Sequence, residues 1–156
     1  VHLGLNEEQV EGVRIAGMLH DIGKIAVPSD ILSKPSGLSV HELNLIREHP
    51  LVGYEILKTI AFEQPIAQAV LQHHERNDGS GYPQGLTKDE IILQAKILAV
   101  ADTIEAMASH RPYRPALGID AALDEICNKK DKVYDAEITD VCKFLFKQDA
   151  FQFSSA

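Results

Sequence analysis

The 156-residue sequence contains no tryptophan, and aromatic residues make up only 6% of it. A chain that is nonetheless 45% hydrophobic must build its core mainly from aliphatic side chains. Such a composition favours the Leu, Ile and Ala packing of helical proteins. The length suits a single domain, and the hydrophobic content excludes a disordered chain.

An excess of positive charge is also missing, because 15 Lys and Arg residues face 23 Asp and Glu residues, for a net charge of −8. Proteins that grip nucleic acid through its phosphate backbone are generally basic. We therefore exclude a nucleic-acid polymer as the partner. A nucleotide held locally by a few cations is compatible with this charge.

Cysteines and long apolar runs are scarce as well. Cys127 and Cys142 lie far apart and fit no zinc motif, so we expect two reduced structural thiols in a cytoplasmic protein. No apolar run approaches the roughly 20 residues that span a bilayer, and no signal peptide is visible. The sequence thus predicts a cytoplasmic protein without a membrane segment. Because a helix start follows Val1 almost at once, we expect a longer parent protein.

Helix signals recur along the chain, whereas internal repeats and alternating strand patterns are absent. Capping boxes predict helix starts after Asn6, Ser39 and Thr87, and Gly23 is expected to end the first helix in a left-handed turn. Further helices are expected at about 51–60, 66–74, 91–109, 119–127 and 136–148. The predicted fold is one all-α bundle at 1–148, with a Gly- and Pro-rich loop at 76–86 and a frayed tail at 149–156.

Six side chains of metal-binding types stand at unusual positions on these helices: His20, Asp21, His49, His73, His74 and Asp102. Asp102 lies one helical turn after Leu98 on an apolar stripe, where an unpaired carboxylate would be strongly unfavourable. A mixed imidazole and carboxylate set suits iron, manganese, zinc or similar ions. Six ligands exceed the need of one zinc, so we predict two ions bridged by a carboxylate, which suits phosphoester hydrolysis.

Each of these residues has an ordinary alternative interpretation when it is taken alone. A single histidine on an apolar face is usually a satisfied core or surface residue, and an aspartate at a helix end is often a solvated cap. Lys24, Arg111 and Arg114 are equally compatible with solvated surface positions. The joint pattern is what favours a metal site.

Five segments together resemble the HD-GYP subgroup of the HD phosphohydrolase superfamily: His20-Asp21-Ile22-Gly23-Lys24, His49-Pro50, His73-His74-Glu75, Asp78-Gly79-Ser80-Gly81-Tyr82-Pro83 and Ala101-Asp102. The resemblance spans about residues 3–145. An HD pair alone is a weak signal, whereas its combination with paired histidines, a helical aspartate and the Gly-Tyr-Pro loop is very specific.

The resemblance implies an all-α, metal-dependent phosphodiesterase of bacterial signalling that converts cyclic di-GMP to linear pGpG and possibly GMP. It implies two divalent ions, iron or manganese, and in some members a third. In this resemblance Asp21 matches the carboxylate that bridges two ions, and Asp102 matches the terminal aspartate ligand. The remaining ligands match the family's metal-binding histidines: His20, His49, His73 and His74.

Other roles carried over from the family concern the substrate. Lys24 matches a lysine near the scissile phosphate, where it acts with Asp21 in catalysis. Arg111 and Arg114 match two cations that hold phosphate, although the second is often lysine in the family. Three loop residues are associated with specificity or partner contact: Gly81, Tyr82 and Pro83. The sequence leaves open whether this loop supports the paired histidines, contacts guanine or docks a diguanylate cyclase.

The sequence departs from the family pattern before the HD pair. Family members usually carry an earlier helix with a histidine, and often a glutamate, that complete the site. The sequence starts nineteen residues before His20 and does not include that helix. We therefore expect the chain alone to hold fewer ions and to be poorly active. The family also implies an upstream sensory or receiver domain and a diguanylate cyclase (GGDEF) partner.

Two other functions are compatible with the sequence. A non-catalytic module would dock a diguanylate cyclase or another signalling partner through the Gly-Tyr-Pro loop, but it would not need Asp102 on an apolar face. An HD hydrolase of a different nucleotide phosphoester would keep the ligands, but the Gly-Tyr-Pro loop disfavours a generic nucleotidase.

Overall fold

The structure, a computed structural model, describes residues 2–109 and 116–147 and consists of helices joined by turns and loops. Within these ranges there is no β-strand, only isolated bridges, so the expected all-α class is confirmed. The helices, in chain order, are α1 (Glu7–Leu19), a 3₁₀ helix (Ile22–Ala26), α2 (Ser29–Leu32), α3 (Val40–Arg47), α4 (His49–Leu57), α5 (Ile66–Gln72), α6 (Leu93–Ala108), α7 (Ile119–Asn128) and α8 (Ala136–Lys147).

Two of the three predicted capping boxes start helices. The Asn6 side chain accepts a hydrogen bond from the Gln9 amide at 2.8 Å, and the Gln9 side chain returns one from the Asn6 amide at 3.0 Å. Ser39 and Glu42 form the same reciprocal pair at the start of α3. Asp135 caps α8, because its carboxylate accepts hydrogen bonds from the amides of Glu137 and Ile138. These caps satisfy backbone donors that the first helical turn leaves free.

The prediction for Thr87 was wrong. Its amide and hydroxyl both donate to the Glu90 carboxylate, at 2.8 and 2.7 Å, but this pair closes a turn. The helix begins only at Leu93, after Ile92 adopts an extended conformation. The Ile92 amide donates a hydrogen bond at 2.9 Å to the side-chain oxygen of Gln72, the last residue of α5.

The left-handed turn expected at Gly23 was also wrong. Gly23 lies inside the 3₁₀ helix without a positive φ. A Cβ atom there would collide with the backbone carbonyl of His49. Glycine is therefore required because the 3₁₀ helix lies directly against the first turn of α4. His49 is the first residue of α4 and Pro50 the second, so this helix begins two residues before the predicted start at 51.

The core consists of two apolar clusters on opposite sides of α6. One cluster joins α1, α4 and α5 to α6 through Leu98, and it includes Ala16, Leu57 and Val70. The other joins α7 and α8 to α6, and its buried members are Val100, Ile104, Ala122, Leu123, Ile126, Tyr134 and Ile138. Cys127 and Cys142 are free, partly buried thiols at the edge of this second cluster, and burial raises the pKa of Cys142 to about 11.

None of the helices in the described ranges has the length and apolar character that a membrane crossing requires. Arg111, Arg114 and the predicted tail at 149–156 lie outside the described residues.

Candidate metal centre

The four histidines of the predicted ligand set meet where α1, α4 and α5 end or begin. Ligand atoms of His49, His73 and His74 all lie within 4.8 Å of one another. The His20 ring packs edge-on against His73, with 5.2 Å between the ring centroids. Residues separated by more than fifty positions thus converge because one helix starts, and two helices finish, at the same place.

Three of these rings are held by the same kind of hydrogen bond to the local backbone. The Nδ1 atom of each ring lies against the carbonyl oxygen three residues earlier, at 2.7 Å for His20, 2.7 Å for His49 and 2.6 Å for His73. A carbonyl oxygen can only accept, so Nδ1 carries the hydrogen. The Nε2 lone pair of each neutral ring is then left for another partner. Such anchoring is the usual outer support of metal-binding histidines.

The Nε2 atoms of His49 and His73 face each other at 3.3 Å. In the neutral rings neither atom carries a hydrogen, so two acceptors meet without a donor between them. Two nitrogen atoms bound to a single ion at about 2.1 Å, and separated by this distance, subtend a chemically ordinary angle of roughly 100° at the ion. The donor set and its spacing therefore fit a divalent metal ion.

Burial keeps His49, His73 and His74 neutral. His73 is fully buried and His49 is 1% exposed. Loss of solvation lowers the pKa of His49 and His74, and it lowers the pKa of His73 to about 3. Neutral imidazole is the form that binds metal ions, so the protein presents the rings ready for coordination.

The Asp21 carboxylate lies between the Lys24 ammonium and the rings of His20 and His49. Its Oδ1 lies 3.4 Å from His49 Nε2, and its Oδ2 lies 3.5 Å from His20 Nε2 and 2.6 Å from the Lys24 ammonium. Burial alone would raise the pKa of Asp21, but the Lys24 ammonium, which donates a hydrogen bond to it, holds that pKa below its usual value. Each carboxylate oxygen has two lone pairs, so donation by Lys24 leaves acceptor capacity for metal ions.

Asp102 approaches the same rings from α6. Its oxygens lie 3.9 Å from His20 Nε2 and 3.9 Å from His74 Nδ1. A cleft of about 430 Å³ opens beside it and is lined by Gly17, His20, Asp21, Leu98, Ala101, Asp102 and Glu105. The structure therefore brings all six predicted ligand residues into one connected cluster with access from solvent.

The predicted loop at 76–86 folds back over the paired histidines. The buried Glu75 carboxylate accepts hydrogen bonds from the amides of Gln84 at 2.7 Å and Leu86 at 2.9 Å. Gly81 lies so close to the backbone of Glu75 and Arg76 that any Cβ atom would collide with it. The loop is thereby tied to the residues that immediately follow His73 and His74.

Tyr82 reaches the metal cluster from this loop. Its ring stacks on His74, with 4.7 Å between centroids and 24° between planes, and a cis peptide bond joins it to Pro83. Burial raises the pKa of Tyr82 to about 12, so the hydroxyl stays protonated. Of the three possibilities for the loop, direct support of a paired histidine is the contact that the structure displays.

Three residues that shape this site had no role assigned from the sequence. Glu75 anchors the loop, Glu105 lines the cleft and Arg47 places its guanidinium 5.4 Å from the centre of the Tyr82 ring. Glu105 carried a signal, because it stands three residues after Asp102 and hence on the same helical face. Arg47 carried none, since only the folded loop brings Tyr82 beneath it.

Comparison with protein families gives a match to the HD domain model over residues 1–138. Among curated proteins, the cyclic di-GMP phosphodiesterase response regulator RpfG of Xanthomonas campestris is 43% identical, over 99% of this chain and 42% of its own length. A cyclic di-GMP phosphodiesterase of Thermotoga maritima is 39% identical, over 94% of this chain and 40% of its own. The chain thus spans about two fifths of the length of these relatives.

Solved structures with the same fold include the HDG"Y"P protein Bd1817 of Bdellovibrio bacteriovorus. It matches with a TM-score of 0.70 and 19% identity, over 90% of this chain and 46% of its own. A cyclic GMP-AMP specific phosphodiesterase of Vibrio cholerae matches with a TM-score of 0.67 and 17% identity, over 95% and 41% of the two chains. At these identities the likeness establishes the helical fold.

Proposed function

The chain belongs to the HD domain family, and on that premise we propose that it is a metal-dependent phosphodiesterase that hydrolyses cyclic di-GMP. The observation that carries this proposal is the cluster of neutral histidines whose Nε2 atoms face one another beside Asp21. Relatives over nearly the whole of this chain are named as cyclic di-GMP phosphodiesterases, which supports the choice of substrate.

In this proposal six side chains hold two divalent ions, iron or manganese. They are His20, Asp21, His49, His73, His74 and Asp102. Asp21 would be the ligand shared by the two ions, because its two oxygens face the rings of different histidines, His20 and His49. Asp102 takes the outer position, next to His20 and His74. Ions bound in such a pair polarise a phosphoryl group and lower the pKa of the attacking water.

Lys24 acts on the phosphate in this proposal. Its ammonium lies within the site, 2.6 Å from Asp21. It can therefore move from that carboxylate toward the negative charge that develops on the phosphate oxygens. A positioned cation that strengthens its contact as charge develops lowers the barrier. Tyr82, with Gly81 and Pro83, shapes the rim, and Arg111 and Arg114 are proposed as phosphate-holding cations.

The names of two relatives make 3'3'-cGAMP a second candidate substrate. Two relatives from Vibrio cholerae, 37% and 40% identical to this chain, are named 3'3'-cGAMP-specific phosphodiesterases. The substrate test must therefore compare cyclic di-GMP with 3'3'-cGAMP. The two differ in one base, so the ratio of their kcat/KM values measures base recognition alone.

For the whole protein we propose a cytoplasmic setting and a regulatory partner. The curated relatives are more than twice as long as this chain, and one is named a response regulator. An upstream sensory or receiver domain that controls the site would suit this length, and the proposed partner is a diguanylate cyclase (GGDEF) domain that supplies cyclic di-GMP. The sensory or receiver domain is to be sought in the sequence of the parent protein, and the diguanylate cyclase among the proteins that co-purify with it.

The decisive experiment loads the parent protein with iron or manganese without oxygen and follows the two cyclic dinucleotides by chromatography. We expect linear pGpG or GMP from cyclic di-GMP, and Asp21→Ala should reduce turnover at least about 100-fold, since outer-sphere changes alone cost 10- to 100-fold. The matched control is Asp30→Ala, at an exposed position on α2. Full metal occupancy without turnover of either substrate would favour the non-catalytic docking module.

A further inference from the structure

A cyclic dinucleotide carries two phosphates, so its binding site needs cations that are not already neutralised. The ligand cluster itself supplies two carboxylates, Asp21 and Asp102, and the whole chain has a net charge of −8. In the described part of the chain, three cationic side chains stand close to the cluster: Lys24, Arg47 and Arg76.

Two of these three cations already have strong partners. The Lys24 ammonium is paired with Asp21 at 2.6 Å. The Arg76 guanidinium donates to the backbone carbonyls of Glu75 at 2.8 Å and His73 at 3.2 Å, and it lies over the ring of Tyr134. Arg76 is thus part of the structure that follows the paired histidines, and moving it would leave buried carbonyls without donors.

Arg47 is different. It is the last residue of α3, and its side chain is exposed. Its guanidinium lies 5.4 Å from the centre of the Tyr82 ring, and within the described residues no carboxylate or carbonyl accepts a hydrogen bond from it. Tyr82 in turn stacks on His74, so the same ring contacts both a histidine of the metal cluster and this cation.

The Arg47 guanidinium contacts the Tyr82 ring as a cation over the face of an aromatic ring. The ring stabilises the cation and limits its motion, but it uses none of the five donors. Those donors match the spacing of two phosphate oxygens. Arg47 is therefore positioned by Tyr82 and left free to bind an anion.

We propose that Arg47 is a substrate-binding residue that donates two hydrogen bonds to a phosphate of the cyclic dinucleotide. The proposal rests on the proposed phosphodiesterase function and assigns a new residue to it. It also gives Tyr82 a second role, because the ring that supports His74 orients the phosphate-binding guanidinium. The charge favours the phosphate over the base, since the guanidinium pairs best with an anionic group.

The test is steady-state kinetics of the metal-loaded parent protein with Arg47→Ala and Arg47→Lys. We expect Arg47→Ala to raise KM about tenfold, the usual value of a hydrogen bond to a charged group, and to leave kcat within twofold. Arg47→Lys should recover part of the loss, because it restores the charge without the fork. The KM of the wild type should rise more steeply with salt than that of Arg47→Ala.

The matched control is Lys58→Ala, which removes another cation that lies over a tyrosine, at 5.8 Å from the Tyr54 ring and away from the cluster. Its KM should equal that of the wild type. Metal content, measured by elemental analysis, should be the same in all variants, so that a loss of ions is not mistaken for a loss of binding.

Failure of this inference differs from failure of the proposed function. If the wild type turns over a cyclic dinucleotide and Arg47→Ala has an unchanged KM, Arg47 does not bind substrate and the function stands. If kcat and metal content fall together in Arg47→Ala while KM is unchanged, Arg47 supports the structure instead. A wild type that neither binds nor hydrolyses either dinucleotide overturns the function and the role of Arg47 with it.

Discussion

The two sides of helix α6 are stabilised in different ways. On the side of α7 and α8, the contact is made by aliphatic side chains such as Val100, Ile104 and Ile126. On the side of α1, α4 and α5, a smaller apolar cluster stands next to buried histidines, a buried glutamate and glycines in close backbone contact. One helix therefore joins an ordinary hydrophobic core to a polar centre.

This difference shows how a small domain can keep a polar site. Buried polar groups are costly unless they are paired, and here the pairing is completed by backbone carbonyls and, in our proposal, by metal ions. The apolar side needs no ligand and supplies the burial that holds α6, and hence Asp102, in place. Variants on either side of α6 can therefore test this division.

Gly23→Ala should damage the polar side most, because the new Cβ atom would collide with the His49 backbone carbonyl. Contacts with backbone cannot be relieved by rotating a side chain, so we expect a loss of about 3 kcal/mol or more in unfolding free energy. Metal content and turnover should fall with it. The control is Gly37→Ala, which has open space around its Cα. A Gly23→Ala protein that matches this control would refute the close packing.

Ile126→Ala should act on the apolar side alone. Ile126 is fully buried between α6, α7 and α8, so truncation should lower the unfolding free energy by about 2–5 kcal/mol in a denaturant titration. Metal content and kcat should be retained at low temperature. Ile60→Ala, at a half-exposed position, should cost far less. Loss of metal from folded Ile126→Ala protein would show that the two sides are not separable.

Metal binding should stabilise the polar side. At an ion concentration one hundred times Kd, binding adds about 2.7 kcal/mol, which for a chain of this length raises Tm by about 5–10 °C. Hydrogen exchange should slow chiefly near His49, His73 and His74. Asp102→Asn should reduce this gain, whereas Ile126→Ala should keep it. Equal slowing on both sides of α6 would contradict the division.

Tyr82→Phe should have the smallest effect. The phenolic hydroxyl has no hydrogen-bond acceptor within the described residues, and the ring face that stacks on His74 is unchanged. We expect KM and kcat within about twofold of the wild type, whereas Tyr82→Ala should raise KM as Arg47→Ala does. A large effect of Tyr82→Phe would assign the hydroxyl a direct contact with substrate.

Much of the polar side could be predicted from the sequence because its chemistry is unusual. A carboxylate on an apolar helical stripe identified Asp102, and adjacent histidines after an apolar helix identified His73 and His74. Caps such as Asn6 and Ser39 were predictable since they depend on residues three positions apart. These features need only local geometry.

Other features depend on contacts between distant segments and were missed or misread. Gly23 gave the signal of a helix end, but its real constraint comes from His49, twenty-six residues later. Thr87 formed the expected hydrogen bonds in a turn, and the Ile92 amide ahead of the next helix donates to Gln72, a residue distant in sequence. Arg47 has a role only once Tyr82 is folded beneath it. No periodic pattern in the sequence predicts such contacts between distant segments.

The double use of α6 has a consequence for how the chain can change in length. Each residue added to a helix rotates everything after it by about 100°. A single insertion between Leu98 and Asp102 would turn Asp102 away from the histidines and, in the same step, turn Ile104 away from α7. Insertions in the turn at 33–38 meet no such constraint. Homologous chains should therefore vary in length at that turn and keep α6 at constant register.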